Sequence, residues 1–273
     1  MARVLAAVLA LALGVAAGPT SPAASITDRG TAVTPGVKAV AFDYLALFDP
    51  DSIVADVDAI VPGKGREFAG LWRTRQFEYT WLRSSSRRYV DFRAVTEDAL
   101  VYTARAMGLE ITGSQRSHLL AAYLHLAPWP DAVDGLRRLR QLGIQVVTIS
   151  NFTPVMQRAS AERAGILGLF DALVSTDDNH TYKPDPRAYQ LVLDRLGLAR
   201  HEIVFAAFAA WDAAGAKAFG YPTVWVNRLS QPEEELGVRP DRTVANLDGL
   251  LAFVQGQPSA PDRRVRRSPE ARP

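Results

Sequence analysis

The length and composition of the chain are those of an ordinary globular protein. It has 273 residues, of which 48% are hydrophobic and 22% charged, and it contains no cysteine. This composition excludes intrinsic disorder of the whole chain and a collagen-like repeat. The lack of cysteine excludes disulfides, cysteine-based zinc sites and a thiol nucleophile.

Positive charge is concentrated at the two ends of the chain. The formal net charge is +2, but the tail after Gln255 carries five arginines against two acidic residues, and Arg3 adds another positive charge. The rest of the chain is therefore close to neutral, which argues against nucleic-acid binding by a basic face. We expect residues 256–273 to form a disordered basic tail.

The first residues have the pattern of a secretory signal peptide. Arg3 is followed by an apolar run from Val4 to Ala17 and then by small residues. We predict a signal peptide over 1–24, a linker over 25–36, and a periplasmic or secreted protein with no membrane segment in its mature form. The alternative is a cytoplasmic protein that begins near Val37, downstream of an over-extended reading frame.

After the linker, strand and helix patterns alternate, with one helical interruption. An apolar run ends at Asp43, and residues 52–127 then contain helix-period stretches without a comparable strand. Further strand patterns alternate with helices at 145–150, 172–175, 202–207 and 223–227. The order predicts an α/β fold: a doubly wound, Rossmann-like parallel sheet core from 37–51 and 128–255, with 52–127 inserted as a helical cap domain.

Side chains that can do chemistry follow the predicted strands. Asp43 ends the first, Ser150 and Asn151 end the second, Lys183 follows the third and Asp212 the fourth. Because parallel strands bring their carboxyl ends to one edge, we expect these residues to meet there. A carboxylate can act as a nucleophile, an ammonium group beside it lowers its pKa, and a second carboxylate can accept a proton from water. Each residue alone is common in caps and loops, but their joint order indicates a hydrolytic site.

These residues lie in stretches that resemble the four motifs of the haloacid dehalogenase superfamily, and more narrowly the type II L-2-haloacid dehalogenases. The four stretches are Phe42-Asp43, Ser150-Asn151, Tyr182-Lys183-Pro184-Asp185 and Trp211-Asp212. The narrower resemblance comes from the predicted cap, where the segment from Leu71 to Arg83 includes Arg73. The similarity runs from about Val37 to Phe253.

The resemblance implies catalytic roles for the matching residues. Asp43 would be the nucleophile that attacks the halogen-bearing carbon of a short (S)-2-haloalkanoic acid, forming an aspartyl ester, and Arg73 would face the leaving halide. Lys183 would pair with Asp43, and Asp212 would help to activate the water that hydrolyses the ester.

The resemblance also implies how the substrate is bound. Ser150 and Asn151 would contact the substrate carboxylate, and the pocket would be lined by Phe92, Tyr189 and Trp211. Members of the family use no metal or other cofactor and are usually homodimers. We therefore expect a homodimer whose small-molecule partner is a haloacid, with no cofactor.

Two of the motifs depart from the family's usual pattern. Asp43 is followed by Tyr-Leu-Ala-Leu-Phe-Asp49, without the usual Gly and Thr, and Ala207-Phe208-Ala209 stands where the family has Ser-Ser-Asn. Polar groups that would hold the halide, the water or the lysine are therefore missing, and the loss of one such group can cost about a hundredfold in rate. An inactive or altered-specificity homologue that binds small carboxylates is the first alternative.

A Mg²⁺-dependent phosphatase is the second, weaker alternative. Phosphatases of this superfamily have a second Asp two residues after the nucleophile, where this chain has Leu45. They also have an acidic Mg²⁺ ligand after the fourth strand, where residues 207–209 offer no side-chain oxygen for a hard cation. The run Asp177-Asp178-Asn179-His180 fits a polar turn better than a metal site, so we predict no metal.

Overall fold

The computed structural model describes residues 36–257. The predicted signal peptide (1–24), most of the predicted linker (25–36) and most of the predicted tail (256–273) lie outside these residues. None of the helices within 36–257 is both long and apolar enough to cross a membrane.

A six-stranded parallel sheet forms the centre of the fold. Its strands are β1 (Ala39–Phe42), β4 (Gln145–Ser150), β5 (Ala172–Ser175), β6 (Ile203–Ala207), β7 (Thr223–Val226) and β8 (Arg242–Val244). They lie side by side in the order β5-β4-β1-β6-β7-β8. The ends of the first five strands lie within two residues of the predicted ends, whereas β8 was not predicted. The predicted α/β class with a parallel sheet is confirmed.

Helices cover both faces of the sheet because side chains along a strand alternate between the faces. The helices are α6 (Ala132–Gln141), α7 (Pro154–Arg163), α8 (Pro186–Leu196), α9 (Ala210–Phe219) and α10 (Leu247–Val254). Val40 and Phe42 pack on one side, with α6, α7 and α10, and Ala39 and Ala41 pack on the other, with α8 and α9. The core is therefore doubly wound.

Four helices form the insertion that we call the cap: α2 (Val54–Ile60), α3 (Gly65–Ser85), α4 (Phe92–Ala106) and α5 (Gly113–Ala122). A short antiparallel pair, β2 (Phe48–Asp49) and β3 (Ala127–Pro128), marks the point where the chain leaves the core and returns. The four-residue helix α1 (Tyr44–Leu47) precedes β2, and a 3-10 helix (Pro50–Ile53) follows it.

Buried polar groups join the cap helices to one another. The Trp72 indole N–H donates to the carbonyl of Thr96 at 2.8 Å, and the Gln76 amide donates to the Thr96 hydroxyl at 2.9 Å. The Tyr123 hydroxyl in turn donates to Gln76 at 2.9 Å. These bonds fix the direction of α3, the helix that carries cap residues to the edge of the sheet.

Candidate active site

Four elements of the core bring the predicted residues to one edge of the sheet. Asp43 follows β1, Ser150 ends β4 and Asn151 follows it, while Lys183 lies in the loop between β5 and α8. Asp212 lies in the first turn of α9, just after β6. These side chains meet at the carboxyl ends of the strands, as expected.

Lys183 lies between two carboxylates. Its ammonium group donates a short hydrogen bond to Asp43 Oδ2 and a second one, at 2.7 Å, to Asp212 Oδ2. The Lys183 side chain is 1% exposed, Asp212 is fully buried, and the Asp43 side chain keeps 12% of its surface. The group therefore contains two carboxylates for one ammonium, and Asp43 is the member that reaches solvent.

Burial and charge act in opposite directions in this group. Burial alone would lower the pKa of Lys183, but the carboxylates of Asp212 and Asp43 outweigh it, and the pKa is raised. Burial, together with the negative charge of Asp43, raises the pKa of Asp212 to about 7, although Lys183 opposes this. Lys183 is thus firmly protonated, and Asp212 titrates near neutral pH.

The backbone fixes the second oxygen of Asp43. Asp43 is the N-cap of α1, and its Oδ1 accepts the backbone N–H of Leu45 at 2.7 Å. Because the helix begins at Tyr44, directly after this cap residue, the strand stops at Phe42 and the Asp43 carboxylate lies at the edge of the sheet. Asp43 can therefore cap α1 with one carboxylate oxygen and present the other to Lys183.

Asn151 and Ser150 hold the loops around Lys183. The backbone N–H of Lys183 donates to Asn151 Oδ1 at 3.0 Å, and the Thr176 hydroxyl donates to the same oxygen at 3.3 Å. The Ser150 hydroxyl oxygen accepts the backbone N–H of Phe152 at 3.0 Å. Both side chains also line the cavity beside Asp43, so they can serve the loop and a ligand together.

A narrow cavity of about 20 Å³ opens beside Asp43. Its wall combines the polar groups of the site with four aromatic rings and one leucine: Asp43, Ser150, Asn151 and Lys183, with Leu45, Phe77, Phe92, Phe152 and Trp211. Phe92 and Trp211 lie where the sequence predicted. Phe77 and Phe152 were not predicted, although Phe77 lies one helical turn after Arg73, on the same side of α3.

The cap and the core meet over this cavity through aromatic rings. Phe77 and Trp81 of α3 both pack edge-on against Trp211 of α9, with ring centroids 5.3 and 5.4 Å apart. A volume of about 20 Å³ is close to that of one water molecule by this measure. A substrate therefore needs these rings to move apart.

Tyr189 lies behind the site and not on the cavity wall, which corrects the prediction that it lines the pocket. It is fully buried, and its hydroxyl donates to Asp212 Oδ1 at 2.7 Å. Gly215 allows this arrangement, because a Cβ there would lie 2.5 Å from the Tyr189 hydroxyl and 2.7 Å from Pro184 Cβ. Tyr189 therefore positions Asp212 and does not reach the cavity.

Arg73 also differs from the expectation that it faces the cavity. Its guanidinium donates to Asp51 Oδ1 at 2.6 Å, and it is not one of the cavity-lining residues. Asp51 is itself fixed, because its backbone N–H donates to Asp49 Oδ1 at 2.8 Å. The side chains of Arg73 and Asp51 remain about one-fifth exposed, so the pair is accessible to water and to small ions.

The departures in the fourth motif remain visible in the structure. Ala207 ends β6, Phe208 uses its carbonyl to accept the Trp225 indole N–H at 2.9 Å, and Ala209 is the N-cap of α9 without a side-chain hydrogen bond. Within residues 36–257, no group of three or more His, Asp or Glu side chains is arranged to hold a metal ion.

Comparison with known proteins places this geometry in a family. Residues 31–220 match the model of the haloacid dehalogenase-like hydrolases. The chain is 46% identical over 220 residues to the (S)-2-haloacid dehalogenase of Pseudomonas sp. (strain YL), an alignment that covers 80% of this chain and 95% of that protein.

Solved structures agree with this comparison. A crystal structure of an L-2-haloacid dehalogenase superposes with a TM-score of 0.78 and 37% identity, covering 81% of this chain and 99% of that one. The L-2-haloacid dehalogenase of Xanthobacter autotrophicus, solved with chloropropionic acid covalently bound, gives a TM-score of 0.76 and 35% identity over 81% and 99% of the two chains.

Proposed function

Because the chain belongs to the haloacid dehalogenase-like hydrolase family, we propose that it hydrolyses the carbon–halogen bond of short-chain (S)-2-haloalkanoic acids. The products are a 2-hydroxy acid and a halide ion. The observation that carries the proposal is the Asp43 carboxylate, paired with the buried Lys183 at a cavity that has aromatic walls. The aromatic walls favour a small organic chain, and Ser150 and Asn151 supply polar groups for its carboxylate.

In the first step, Asp43 attacks the halogen-bearing carbon. A carboxylate oxygen forms the new C–O bond while the C–halogen bond breaks, and the halide leaves with the bonding electrons. Lys183 and the backbone N–H of Leu45 hold the two oxygens of Asp43 before attack. The reacting oxygen therefore loses little orientational freedom in the transition state.

In the second step, water hydrolyses the aspartyl ester. Once Asp43 is esterified, it no longer carries the negative charge that raises the pKa of Asp212 and Lys183. Asp212 is not among the cavity-lining residues, but Lys183 contacts it directly and relays a proton to it from the attacking water, so that Lys183 stays protonated throughout. The tetrahedral intermediate then collapses, and the same proton returns through Lys183 to the leaving alkoxide, which departs as the 2-hydroxy acid. The second proton of the water goes to solvent as the Asp43 carboxylate re-forms with a water-derived oxygen.

The test is halide release from the two enantiomers of 2-chloropropionate in the presence of EDTA, followed by a single turnover in ¹⁸O-water. We expect release from the (S) enantiomer and label in the peptide that contains Asp43. Asp43→Asn should abolish release, while Asp178→Asn, in the 3-10 helix Thr176–Asn179 and outside the lining of the cavity, should not. Label in the hydroxy acid alone would refute the ester route.

A binding protein that keeps the fold is the second candidate, supported by the lack of polar side chains at 207–209. It predicts that small carboxylates raise the melting temperature of the protein while none is converted. Hydrolysis of p-nitrophenyl phosphate only with added Mg²⁺ would instead favour the phosphatase.

We also propose that the protein is an exported homodimer. Leu82 and Tyr102, on the neighbouring cap helices α3 and α4, are 60% and 38% exposed, and a contact between two copies would cover these apolar side chains. Leu82→Asp should halve the mass measured by light scattering.

The proposal of export rests on the predicted signal peptide. The intact mass of the protein isolated from a bacterial periplasm tests it, because removal of residues 1–24 would lower that mass.

A further inference from the structure

A second, larger cavity lies between the cap and the core, apart from the one beside Asp43. It has a volume of about 510 Å³ and is lined on the cap side by Arg83, Ser84, Arg87 and Tyr89 at the end of α3. On the core side it is lined by His180, Thr181 and Arg187, which lie on either side of Lys183 in the sequence. This volume is in the range of small-molecule sites.

The lining of this cavity is strongly basic. It contains three arginines and a histidine, and none of its lining residues is acidic. Arg83 pairs with Asp98, and Arg187 pairs with Asp185 at 2.7 Å, outside the lining. A guanidinium has five N–H donors, so each of these arginines keeps donors for a ligand.

Two further polar groups on the cap side are unused. Within the described part of the chain, the Arg87 side chain makes no ion pair or hydrogen bond. The buried hydroxyl oxygen of Ser84 has no hydrogen-bond partner there either. Arg87 has φ 56°, at the position after a helix where glycine is usual. The guanidinium of Arg87 and the hydroxyl of Ser84 are thus two groups, in the lining of one basic cavity, without a partner among residues 36–257.

The aromatic contacts in the wall connect this cavity to the active-site loop. Tyr89 packs against His180 at 5.2 Å and against Tyr182 at 5.1 Å between ring centroids. The Tyr89 hydroxyl donates a short hydrogen bond to Asp177, so the Asp177 carboxylate already has a hydrogen-bond partner. An occupant would touch a cap segment and the loop next to Lys183 at the same time.

We propose that this cavity binds a small multivalent anion with carboxylate or phosphate groups, which bridges the cap and the core. Planar guanidinium groups bind both kinds of oxyanion in pairs of hydrogen bonds. A single negative charge is not sufficient, because the basic groups stand on two sides of a wide cavity. The bound anion joins Arg87 of the cap to Arg187 of the core.

Titration calorimetry with citrate and with pyrophosphate tests this, with formate at equal ionic strength as the monovalent control. We expect at least one multivalent probe to bind, and Arg87→Gln to weaken it about tenfold or more, as for one charge-assisted hydrogen bond. The matched variant Arg93→Gln, at an exposed cap arginine outside the cavity, should keep wild-type affinity. Arg87→Gly, which suits the backbone, should fold normally and lose the same affinity.

Hydrogen exchange gives a readout that does not depend on catalysis. Binding should slow exchange in residues 83–89 and 180–187 together. Preference for citrate or for pyrophosphate identifies the oxyanion, and either supports the site. The proposal would be overturned if neither citrate nor pyrophosphate binds, or if the Arg87 variants bind them with wild-type affinity. It would also be overturned if formate binds as tightly as citrate and pyrophosphate.

Discussion

Replacing Lys183 with methionine tests the charge arrangement of the site most directly. Methionine preserves most of the side-chain volume but leaves Asp43 and Asp212 without their shared cation. At the 2.7 Å between Lys183 Nζ and Asp212 Oδ2, the attraction is about 6 kcal/mol at an effective dielectric constant of 20. After the cost of removing the charges from water, loss of one partner of such a buried pair destabilises a protein by about 3–5 kcal/mol.

The pH dependence of this loss has a definite sign. Lys183 lowers the pKa of Asp212, so the variant should raise it further above its present value of about 7. A carboxyl group with a raised pKa in the folded state binds a proton on folding, and stability falls as pH rises between the unfolded and folded pKa values. The loss of unfolding free energy in Lys183→Met, relative to wild type, should therefore be smaller near pH 6 and larger near pH 8.

Urea unfolding followed by tryptophan fluorescence at the two pH values measures this, with halide release measured in parallel. The double variant Lys183→Met/Asp212→Asn should recover about 2 kcal/mol at pH 8, because it removes the carboxylate left unpaired. A loss below about 1 kcal/mol at pH 8, or a double variant less stable than Lys183→Met, would show that Lys183 does not compensate the buried carboxylates.

Three smaller changes probe the surroundings of the site. Asp51→Asn should free Arg73 from its ion pair and strengthen inhibition of turnover by chloride about fivefold, while Arg66→Gln, at the other, more exposed partner of Asp51, should not. Tyr189→Phe should cost about 1 kcal/mol of stability and move the acid limb of the rate profile to higher pH, because Asp212 loses a donor to its charged form. Phe77→Leu should raise kcat/KM for 2-chlorobutyrate relative to chloroacetate about tenfold, because it widens the cavity.

Each of these three predictions would be contradicted by one result. Unchanged chloride inhibition in Asp51→Asn would mean that the ion pair does not limit access to Arg73. An unshifted profile in Tyr189→Phe would assign the acid limb to another group. An unchanged substrate ratio in Phe77→Leu would mean that the aromatic wall does not set substrate size.

The residues at the strand ends were predictable because a parallel sheet leaves few choices. Once β1, β4 and β6 are recognised from their apolar runs, Asp43, Ser150 and Asp212 must lie at one edge. Their hydrogen bonds follow from the short distances there. The same reasoning identified Lys183 without any knowledge of its loop.

The side chains supplied by helix packing were not predictable in the same way. Whether Tyr189 points into the cavity or behind it depends on how closely α9 approaches α8, which Gly215 permits. The contact of Arg73 with Asp51 depends on a 3-10 helix that has no periodic pattern. Strands β2, β3 and β8 have two or three residues each, too few for any repeat to be recognised.

The position of β1 in the middle of the sheet also has a consequence for biosynthesis. This strand pairs with β4, starting at Gln145, and with β6, starting at Ile203. The first segment of the core to leave the ribosome therefore waits, with its apolar side chains unpaired, while the whole insertion and most of the remaining core are translated. Such distant pairings slow folding and expose nascent chains to aggregation, so this protein is expected to depend on chaperones more than a helical bundle of equal length.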